Sequence, residues 1–326
     1  MLSYWNDYPT IQNKLQAVCS LIEDQLEVRN KEIQETLIEF ANSGGKYLRP
    51  AYFLFFTELG ESSKQNQKQL TQIAASIEIL HMATLIHDDI IDDSPLRRGN
   101  TTVQSRYGKD IAVYAGDLLF TQFFDLLTQS MNGSPYLEIN ATSMKRLLLG
   151  ELDQMHSRFN RQETVEDYLS SINGKTAELF WLACIQGAHF GKTSEEIESL
   201  SGEIGRDIGL AFQIYDDILD YTAKQHVLQK PILEDLAQGV YTLPLILANQ
   251  EHPEVFAPYL DKEKDLSLED AQQVAKLVVT YDGVKKAKEF AHSYTERALQ
   301  KIAQLPECQA KDGITRLTKQ LLQRAF

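Results

Sequence analysis

The sequence predicts an all-α protein in which a single large helical bundle surrounds a central cavity. Helical periodicity of apolar residues dominates along the whole chain, and no segment shows a sustained strand-like alternation. Glycine and proline are scarce, with 17 and 9 of 326 residues, against typical shares of about 7% and 5%. Hydrophobic residues make up 43% of the chain, which is enough for a large core. We therefore expect one domain over residues 1–326.

Six loop-like breaks divide the helical pattern. In chain order they are residues 59–69, 93–102, 129–136, 189–196, 222–231 and 249–254. The segments between them are long enough to be bundle helices. None of the breaks resembles a flexible linker, and no low-complexity tract or short-period repeat occurs.

Charge and cysteine content narrow the class of protein. The formal net charge of −14 argues against a general nucleic-acid binder, which needs a basic surface. Cys19, Cys184 and Cys308 are widely spaced without metal-ligand spacing, so we expect reduced thiols in a cytoplasmic protein. The start, MLSYWNDYPT, lacks the pattern of a secretory signal, and we expect no membrane span. Contact with the surface of a membrane stays open.

Two acidic segments repeat the pattern Asp-Asp-x-x-Asp, each at the end of an apolar helical run. The first triplet consists of Asp88, Asp89 and Asp92 in HDDIIDDS, and the second of Asp216, Asp217 and Asp220 in YDDILDYT. Spacings of three and four residues place each triplet on one helix face. Hard carboxylate oxygens suit Mg²⁺ shared with substrate phosphates. One triplet alone is equally well explained as a solvated helix end, whereas the matched pair predicts two facing helices that clamp a metal-bound diphosphate. A Ca²⁺ loop starting at Asp88 is a poor fit, because Asp93 and Gly99 stand where Gly and Glu are needed.

Basic residues lie on both sides of the first triplet. Arg97 and Arg98 follow it on a loop, where two guanidinium groups can bind phosphate oxygens. Upstream, GGKYLRP places Lys46 and Arg49 at the expected start of a helix, and helix N-termini bind anions. Alone, the arginine pair is usually solvated surface, and GGKYLRP could be a glycine-rich turn with exposed basic residues. Beside the acidic segment, these basic residues together predict an anion site.

Histidine and glycine add candidates on the helices. His81 lies two turns before the first triplet and should share its side of the helix, although a lone histidine there is more often a core residue. His87 carries the same ambiguity and is left out of the catalytic set. In NGKTA, Gly174 interrupts a helical stretch at a cost of about 1 kcal/mol. We expect a kink there that brings Lys175 toward the cavity.

Further residues are expected to line the same cavity. Phe212 and Gln213 lie one turn before the second triplet, and Lys230 lies on the loop that follows it.

Taken in order, five motifs resemble the trans-isoprenyl diphosphate synthases, or polyprenyl synthetases, and most closely their medium- and long-chain members. The motifs are GGKYLRP, LIHDDIIDDSPLRRG, GKTAELF, FQIYDDILDY and QKPILEDLAQGVYTLP. The resemblance covers most of the chain and implies the isoprenoid synthase type of helical bundle. It also implies a head-to-tail prenyltransferase that joins isopentenyl diphosphate to an allylic prenyl diphosphate.

The resemblance assigns roles to the candidate residues. About three Mg²⁺ ions per active site would be held by the six aspartates. The allylic diphosphate would be contacted by Arg97, Lys175 and Lys230. Isopentenyl diphosphate would be held by Gly45, Lys46, Arg49, His81 and Arg98, with Gln213 nearby.

The chemistry follows from these assignments. Metal ions and cations in a dry cavity would neutralise the leaving diphosphate, and Thr176 Oγ with the backbone carbonyl near Lys175 would support the allylic cation. The resemblance implies that the departing diphosphate takes the final proton. Two positions depart from the family pattern: Gln229 stands where many relatives have Gly, and Val240 where many have a second Lys. The valine puts one phosphate contact in doubt.

The resemblance implies that the residues four and five positions before the first aspartate influence product length. Short-chain members usually carry bulky aromatics there, whereas this chain has Thr84 and Ala83. Small residues at these positions leave the cavity open beneath the growing prenyl chain, which predicts a longer product. The floor of the cavity, where the chain stops growing, would then lie deeper than these two residues. Candidates for that deeper floor are Leu80, Phe120, Phe123 and Phe124, although such phenylalanines are more often plain core.

Several alternative functions remain open, some of them with the same prenyl-transfer chemistry and some without it. The preferred one is a long-chain synthase that supplies the side chain of a quinone or a similar lipid, as a homodimer. It could instead be the catalytic half of a heteromer with a small subunit, or a geranylgeranyl-type synthase. A class I terpene cyclase normally lacks GGKxxRP and the second triplet. A non-catalytic prenyl-diphosphate-binding subunit would be expected to have lost some of these residues.

Overall fold

A computed structural model describes residues 2–43, 45–222 and 233–322, and within them the regular secondary structure is helical apart from one short hairpin. The all-α prediction is confirmed. The helices are α1 Pro9–Gln25, α2 Lys31–Asn42, α3 Leu48–Thr57, α4 Gln67–Ile91, α5 Val103–Tyr107, α6 Lys109–Met131, α7 Tyr136–His156, α8 Val165–Ile172, α9 Glu178–Phe190, α10 Glu195–Thr222, α11 Glu234–Ala237, α12 Leu243–Glu251, α13 Pro253–Leu260, α14 Leu268–Thr280, α15 Gly283–Ile302 and α16 Gln309–Leu322. Short 3₁₀ turns lie at Leu2–Trp5, Ser62–Lys64 and Glu263–Asp265.

The helix ends follow local capping chemistry. The side chain of Asn30 accepts hydrogen bonds from the backbone N–H groups of Glu32 and Ile33 at the start of α2. Thr164 and Asp167 form a reciprocal capping box at the start of α8. These side chains satisfy backbone donors that a helix start leaves without partners.

One hairpin departs from the expectation that no strands occur. Leu96–Arg97 (β1) pairs antiparallel with Asn100–Thr101 (β2), and Arg97 lies opposite Asn100. Arg98 and Gly99, between the strands, both have positive φ, of 51° and 82°, as a type I′ turn requires. Strands of two residues are too short to show an alternating pattern in the sequence.

The chain divides into two compact units. The first consists of Met1–Ala141, Ala183–Ser201 and Pro306–Ile314, and the second of Thr142–Leu182, Gly202–Leu305 and Thr315–Phe326. The expectation of a single domain over residues 1–326 stays a prediction.

Helix α4 is the centre of the first unit. It packs along α6 and also contacts α1 and α3. Its buried residues occur all around the helix, among them Ile77, Leu80 and Ile86. A helix that is apolar on every side is typical of the interior of a bundle.

The second unit has its own core. In it, α12 packs on α15 and contacts α13 and α14, and Phe256 and Ile302 are almost completely buried. Within α10, Asp207 is buried and forms ion pairs with Arg297 and Lys301 of α15. Two partners stabilise a carboxylate that would be costly to bury alone.

By length and composition alone, one helix among the described residues, Lys109–Met131, could cross a membrane. This helix, α6, packs against α4 and α5. Core helices of globular proteins pass the same test. The three cysteines are free thiols, as expected.

Candidate active site

The first acidic triplet lies at the C-terminal end of α4. Asp88 and Asp89 belong to its last turn, and Asp92 is the residue that caps the helix. Asp89 is only 2% exposed, whereas Asp88 and Asp92 are half-buried. The negative end of the helix dipole disfavours carboxylates at this position. A cation nearby would offset that cost.

Arg97 supplies one such cation. Its Nε donates a hydrogen bond of 2.7 Å to Asp89 Oδ1, and the two side chains form a mostly buried ion pair. The hairpin turn after Arg97 reverses the chain. The middle aspartate of the triplet is therefore held by the protein itself.

Beside this pair lies a recess of the first unit. Its walls include Gly45, Glu78, His81, Arg97 and Arg98. A Cβ added to Gly45 would lie 3.2 Å from Arg98 Nη1, so a larger residue there would push on the guanidinium group. Three of the residues expected to hold isopentenyl diphosphate are thus brought together, and Arg97 links them to the first acidic triplet.

The two remaining members of that expected set lie near the start of α3. Arg49 is the second residue of the helix, and its charge is felt by both Glu78 and His81. Lys46 is exposed, with its ammonium 5.4 Å from the centre of the Tyr4 ring. The predicted helix start at GGKYLRP is confirmed.

Glu78 is the one acidic residue in the lining of the recess, among the residues that the structure describes. It is 7% exposed, and burial raises its pKa to about 7, although Arg49 and Arg98 pull in the opposite direction. Burial lowers the pKa of His81 well below its usual value, and the same arginines lower it further. We infer that the His81 imidazole is neutral at pH 7.

Replacing Glu78 by glutamine should change how stability depends on pH. The folded-state pKa of Glu78 lies above its ordinary value of 4.5, so its stabilising contribution is complete at low pH and is lost as the pH rises toward 7. The loss amounts to roughly 2–3 kcal/mol between pH 5 and pH 8. Glutamine does not titrate. The free energy of unfolding of Glu78→Gln, relative to that of the wild type, should therefore rise by this amount between pH 5 and pH 8.

Chemical denaturation of both proteins at pH 5 and pH 8 measures this gain. An equal stability difference between the two proteins at both pH values would show that Glu78 does not titrate in this range.

The second acidic triplet repeats the arrangement of the first in the other unit. Asp217 is 4% exposed, and it accepts hydrogen bonds from Tyr168 Oη at 2.5 Å and from Gln213 Nε2 at 2.8 Å. Asp216 is exposed, and Asp220 is half-buried and accepts a hydrogen bond from the backbone N–H of Leu233. Again the middle aspartate is held by protein groups.

Charge is concentrated around Asp217. Burial raises the pKa of Asp217 well above its usual value, and the negative charges of Asp235 and Asp216 raise it further. Burial also raises the pKa of Tyr168, which stays a hydrogen-bond donor. A cation bound near this segment would relieve the repulsion among the three carboxylates.

The expected interruption at Gly174 is present as a π-helical turn at Asn173–Ala177. Such turns are common at functional sites. Thr176 Oγ1 donates a hydrogen bond of 2.7 Å to Gln213 Oε1, and Gln213 in turn donates to Asp217. The oxygen expected to support an allylic cation is therefore connected to the second triplet.

Lys175 lies in the same π-helical turn. Its Nζ is 2.9 Å from both Glu151 Oε2 and Gln154 Oε1 of α7.

Each triplet fits Mg²⁺ through its outer aspartates. Asp88 and Asp92 in the first triplet, and Asp216 and Asp220 in the second, are exposed or half-buried and offer the hard oxygen ligands that Mg²⁺ prefers. Across residues 2–43, 45–222 and 233–322, no three His, Cys, Asp or Glu side chains already converge as a ligand set. Mg²⁺ commonly takes one or two carboxylates together with water and substrate phosphates.

The residues expected to set product length lie in the first unit. Ala83 is fully buried, and the Thr84 hydroxyl donates to the carbonyl of His81. Phe123 is fully buried, and Phe120 is half-buried beside the His87 ring. Their role in chain length stays a prediction.

Phe124, the remaining candidate for the cavity floor, is 41% exposed in the single chain, and its role also stays a prediction. His87 packs on α6, where a Cβ at Gly116 would come within 2.4 Å of its ring. Leaving His87 out of the catalytic set agrees with this packing.

Sequence reasoning missed several residues of these networks. Tyr168, Glu151 and Gln154 carry no local signal, because each acts across a helix contact. Glu78 did carry one, since it is a charged residue within the apolar run SIEIL. Lys230 and Gln229 lie outside the described residues. Val240 is buried and donates its N–H to the carbonyl of Asp235, so no phosphate contact is expected there.

The family model of polyprenyl synthetases matches residues 30–278. The chain belongs to the polyprenyl synthetase family and is a prenyltransferase. It is 28% identical to heptaprenyl diphosphate synthase component 2 of Bacillus subtilis (strain 168), over 96% of this chain and 92% of that protein. It is 36% identical to solanesyl-diphosphate synthase 2, chloroplastic, of Oryza sativa subsp. japonica, over 86% of this chain and 70% of that protein.

A solved structure is also similar. The crystal structure of geranylgeranyl pyrophosphate synthase from Lactobacillus brevis ATCC 367 superposes with a TM-score of 0.94 at 42% identity, covering 99% of this chain and 100% of that one.

Proposed function

We propose that the chain condenses isopentenyl diphosphate with an allylic prenyl diphosphate, head to tail, to give a long-chain all-trans polyprenyl diphosphate. The observation that carries this proposal is the position of Arg97. It binds Asp89 of the first acidic triplet and lines the recess that also contains Gly45, His81 and Arg98. A place for a metal-bound diphosphate and a place for a second diphosphate thus lie side by side in one unit.

The chain's own groups have distinct tasks in this reaction. Bound at the outer aspartates, Mg²⁺ would supply the positive charge that lets a diphosphate leave. Arg49, Arg98 and Lys46 hold the second diphosphate and so place its double bond beside the reacting carbon. In this proposal Thr176 Oγ1 and the backbone carbonyl near Lys175 would support the developing cation. The neutral imidazole of His81 donates or accepts a hydrogen bond without adding charge.

A long-chain product is supported by the small residues at Ala83 and Thr84 and by the names of two relatives, heptaprenyl and solanesyl diphosphate synthases. The second candidate is a geranylgeranyl-type product. It is favoured by the geranylgeranyl pyrophosphate synthase that is 42% identical to this chain. The side chain of a quinone or a similar lipid would be the use of a long-chain product.

We further propose that the enzyme is a homodimer. On α6, Val113, Tyr114 and Phe124 are exposed, Tyr114 to 75%. Apolar residues in such positions are typical of an interface, and we propose that a second copy of the chain covers them. The relative from Bacillus subtilis is named component 2, which supports the alternative of a small partner subunit.

We also propose that the enzyme is located in the cytoplasm. Three free thiols favour the reducing cytoplasm, and a long-chain product would bring the enzyme into contact with a membrane surface.

Incubation of the purified chain with Mg²⁺, farnesyl diphosphate and labelled isopentenyl diphosphate tests the reaction. We expect labelled linear prenyl diphosphate, made by the chain alone and lost when EDTA is added. Cyclic hydrocarbon would identify a cyclase instead. If the chain alone does not elongate the substrate, it is not a self-sufficient enzyme. Sedimentation of the same sample separately shows whether the chain is a dimer.

A further inference from the structure

The π-helical turn that carries Lys175 lies unusually close to α7. A Cβ added to Gly150 of α7 would come within 2.7 Å of the backbone N of Lys175, and one added to Gly174 would lie 2.9 Å from the carbonyl oxygen of Arg146. Only glycine fits at both positions without a shift of backbone. The two glycines therefore fix how near Lys175 lies to the helix beside it.

The residues that follow these two glycines form an ion pair. Glu151 comes directly after Gly150, Lys175 directly after Gly174, and Glu151 Oε2 is 2.9 Å from the ammonium. Gln154, one turn further along α7, contributes a second acceptor at 2.9 Å. Both charged side chains are between one fifth and one third exposed. Water and ligands can thus reach the pair.

Two acceptors on one helix restrict the ammonium to one location. A free lysine side chain has many rotamers, and ordering it on binding reduces affinity. An ammonium group has three N–H donors, and its positive charge attracts a diphosphate oxygen while the contacts with α7 hold its position. The contact with α7 thus removes most of the ordering cost before any substrate arrives.

We propose that Glu151, with Gln154, is a positioning residue that holds Lys175 ready for the diphosphate of the allylic substrate. This inference rests on the proposed function, in which Lys175 contacts that diphosphate. Glu151 itself does not touch the substrate.

Binding of S-thiolo farnesyl diphosphate with Mg²⁺, measured by calorimetry, tests the proposal without turnover. Glu151→Ala should weaken binding roughly 3- to 10-fold, the loss expected for one side chain that must be ordered. Glu151→Gln keeps an acceptor at the same place and should restore most of the affinity. The KM for isopentenyl diphosphate should stay within about twofold of the wild type.

A double-mutant cycle separates positioning from a structural role. In a Lys175→Ala background, Glu151→Ala should have no further effect on binding, because its only partner in the proposal is gone. An unchanged affinity in Glu151→Ala, or an equal loss in both backgrounds, would overturn the proposal.

The outcomes distinguish this inference from the proposed function. If Lys175→Ala binds the analogue as tightly as the wild type while elongation proceeds normally, the inference fails and the enzyme assignment stands. If the wild-type chain neither binds the analogue nor elongates, both fail. Thermal unfolding of each variant, expected within a few degrees of the wild type, shows that the protein is folded.

Discussion

Replacing Asp88 or Asp216 by alanine is expected to lower turnover by at least about 10²- to 10³-fold, the loss typical when one stabilising group is removed from a developing charge. Each is the outer aspartate at the start of its triplet, and neither is fully buried. Without it, the triplet offers one carboxylate fewer to Mg²⁺. Steady-state rates at saturating substrate, measured over a range of Mg²⁺ concentrations, check the prediction.

Asp93 provides a matched control in the same acidic segment. It is exposed, and its carboxylate pairs with Lys109 Nζ at 2.9 Å. Asp93→Ala should keep activity within a few-fold of the wild type, because a surface ion pair contributes at most about 1 kcal/mol. Full activity of Asp88→Ala or Asp216→Ala would break the account of Mg²⁺ held at both triplets.

Replacing Ala83 by phenylalanine is expected to shorten the product. Ala83 is fully buried, five residues before Asp88 on the same helix. A turn of helix rises about 5.4 Å, comparable with one isoprene unit, so an aromatic ring here should stop growth several units early. Chromatography of the dephosphorylated products gives their length.

A buried phenylalanine also strains the core, at a cost of roughly 1–3 kcal/mol. Stability of Ala83→Phe must therefore be measured beside its product. Thr84→Ala is the control, because it removes volume at the neighbouring position and should give products at least as long as those of the wild type. A folded Ala83→Phe enzyme with products of unchanged length would reject a role for Ala83.

The sequence was sufficient to predict the helical class and the interruption at Gly174, because periodicity and a glycine inside a helix are local signals. It also located both acidic triplets near the ends of long helices, α4 and α10. Their facing arrangement across a central cavity stays a prediction.

The partners of the charged residues could not be predicted in the same way. Asp89 pairs with Arg97 because a hairpin of two-residue strands turns the chain back, and Asp217 binds Tyr168, which lies 49 residues earlier. Lys175 meets Glu151 through a close helix contact that two glycines permit. These interactions depend on tertiary packing, which local patterns do not encode.

Elongation of geranylgeranyl diphosphate tests the central claim, that this chain makes a product longer than geranylgeranyl diphosphate, most directly. The purified chain is incubated with Mg²⁺, geranylgeranyl diphosphate and labelled isopentenyl diphosphate, and the dephosphorylated products are sized. The account predicts that label enters linear alcohols longer than geranylgeraniol. Label that enters geranylgeranyl products from farnesyl diphosphate, but no product from geranylgeranyl diphosphate, would contradict it.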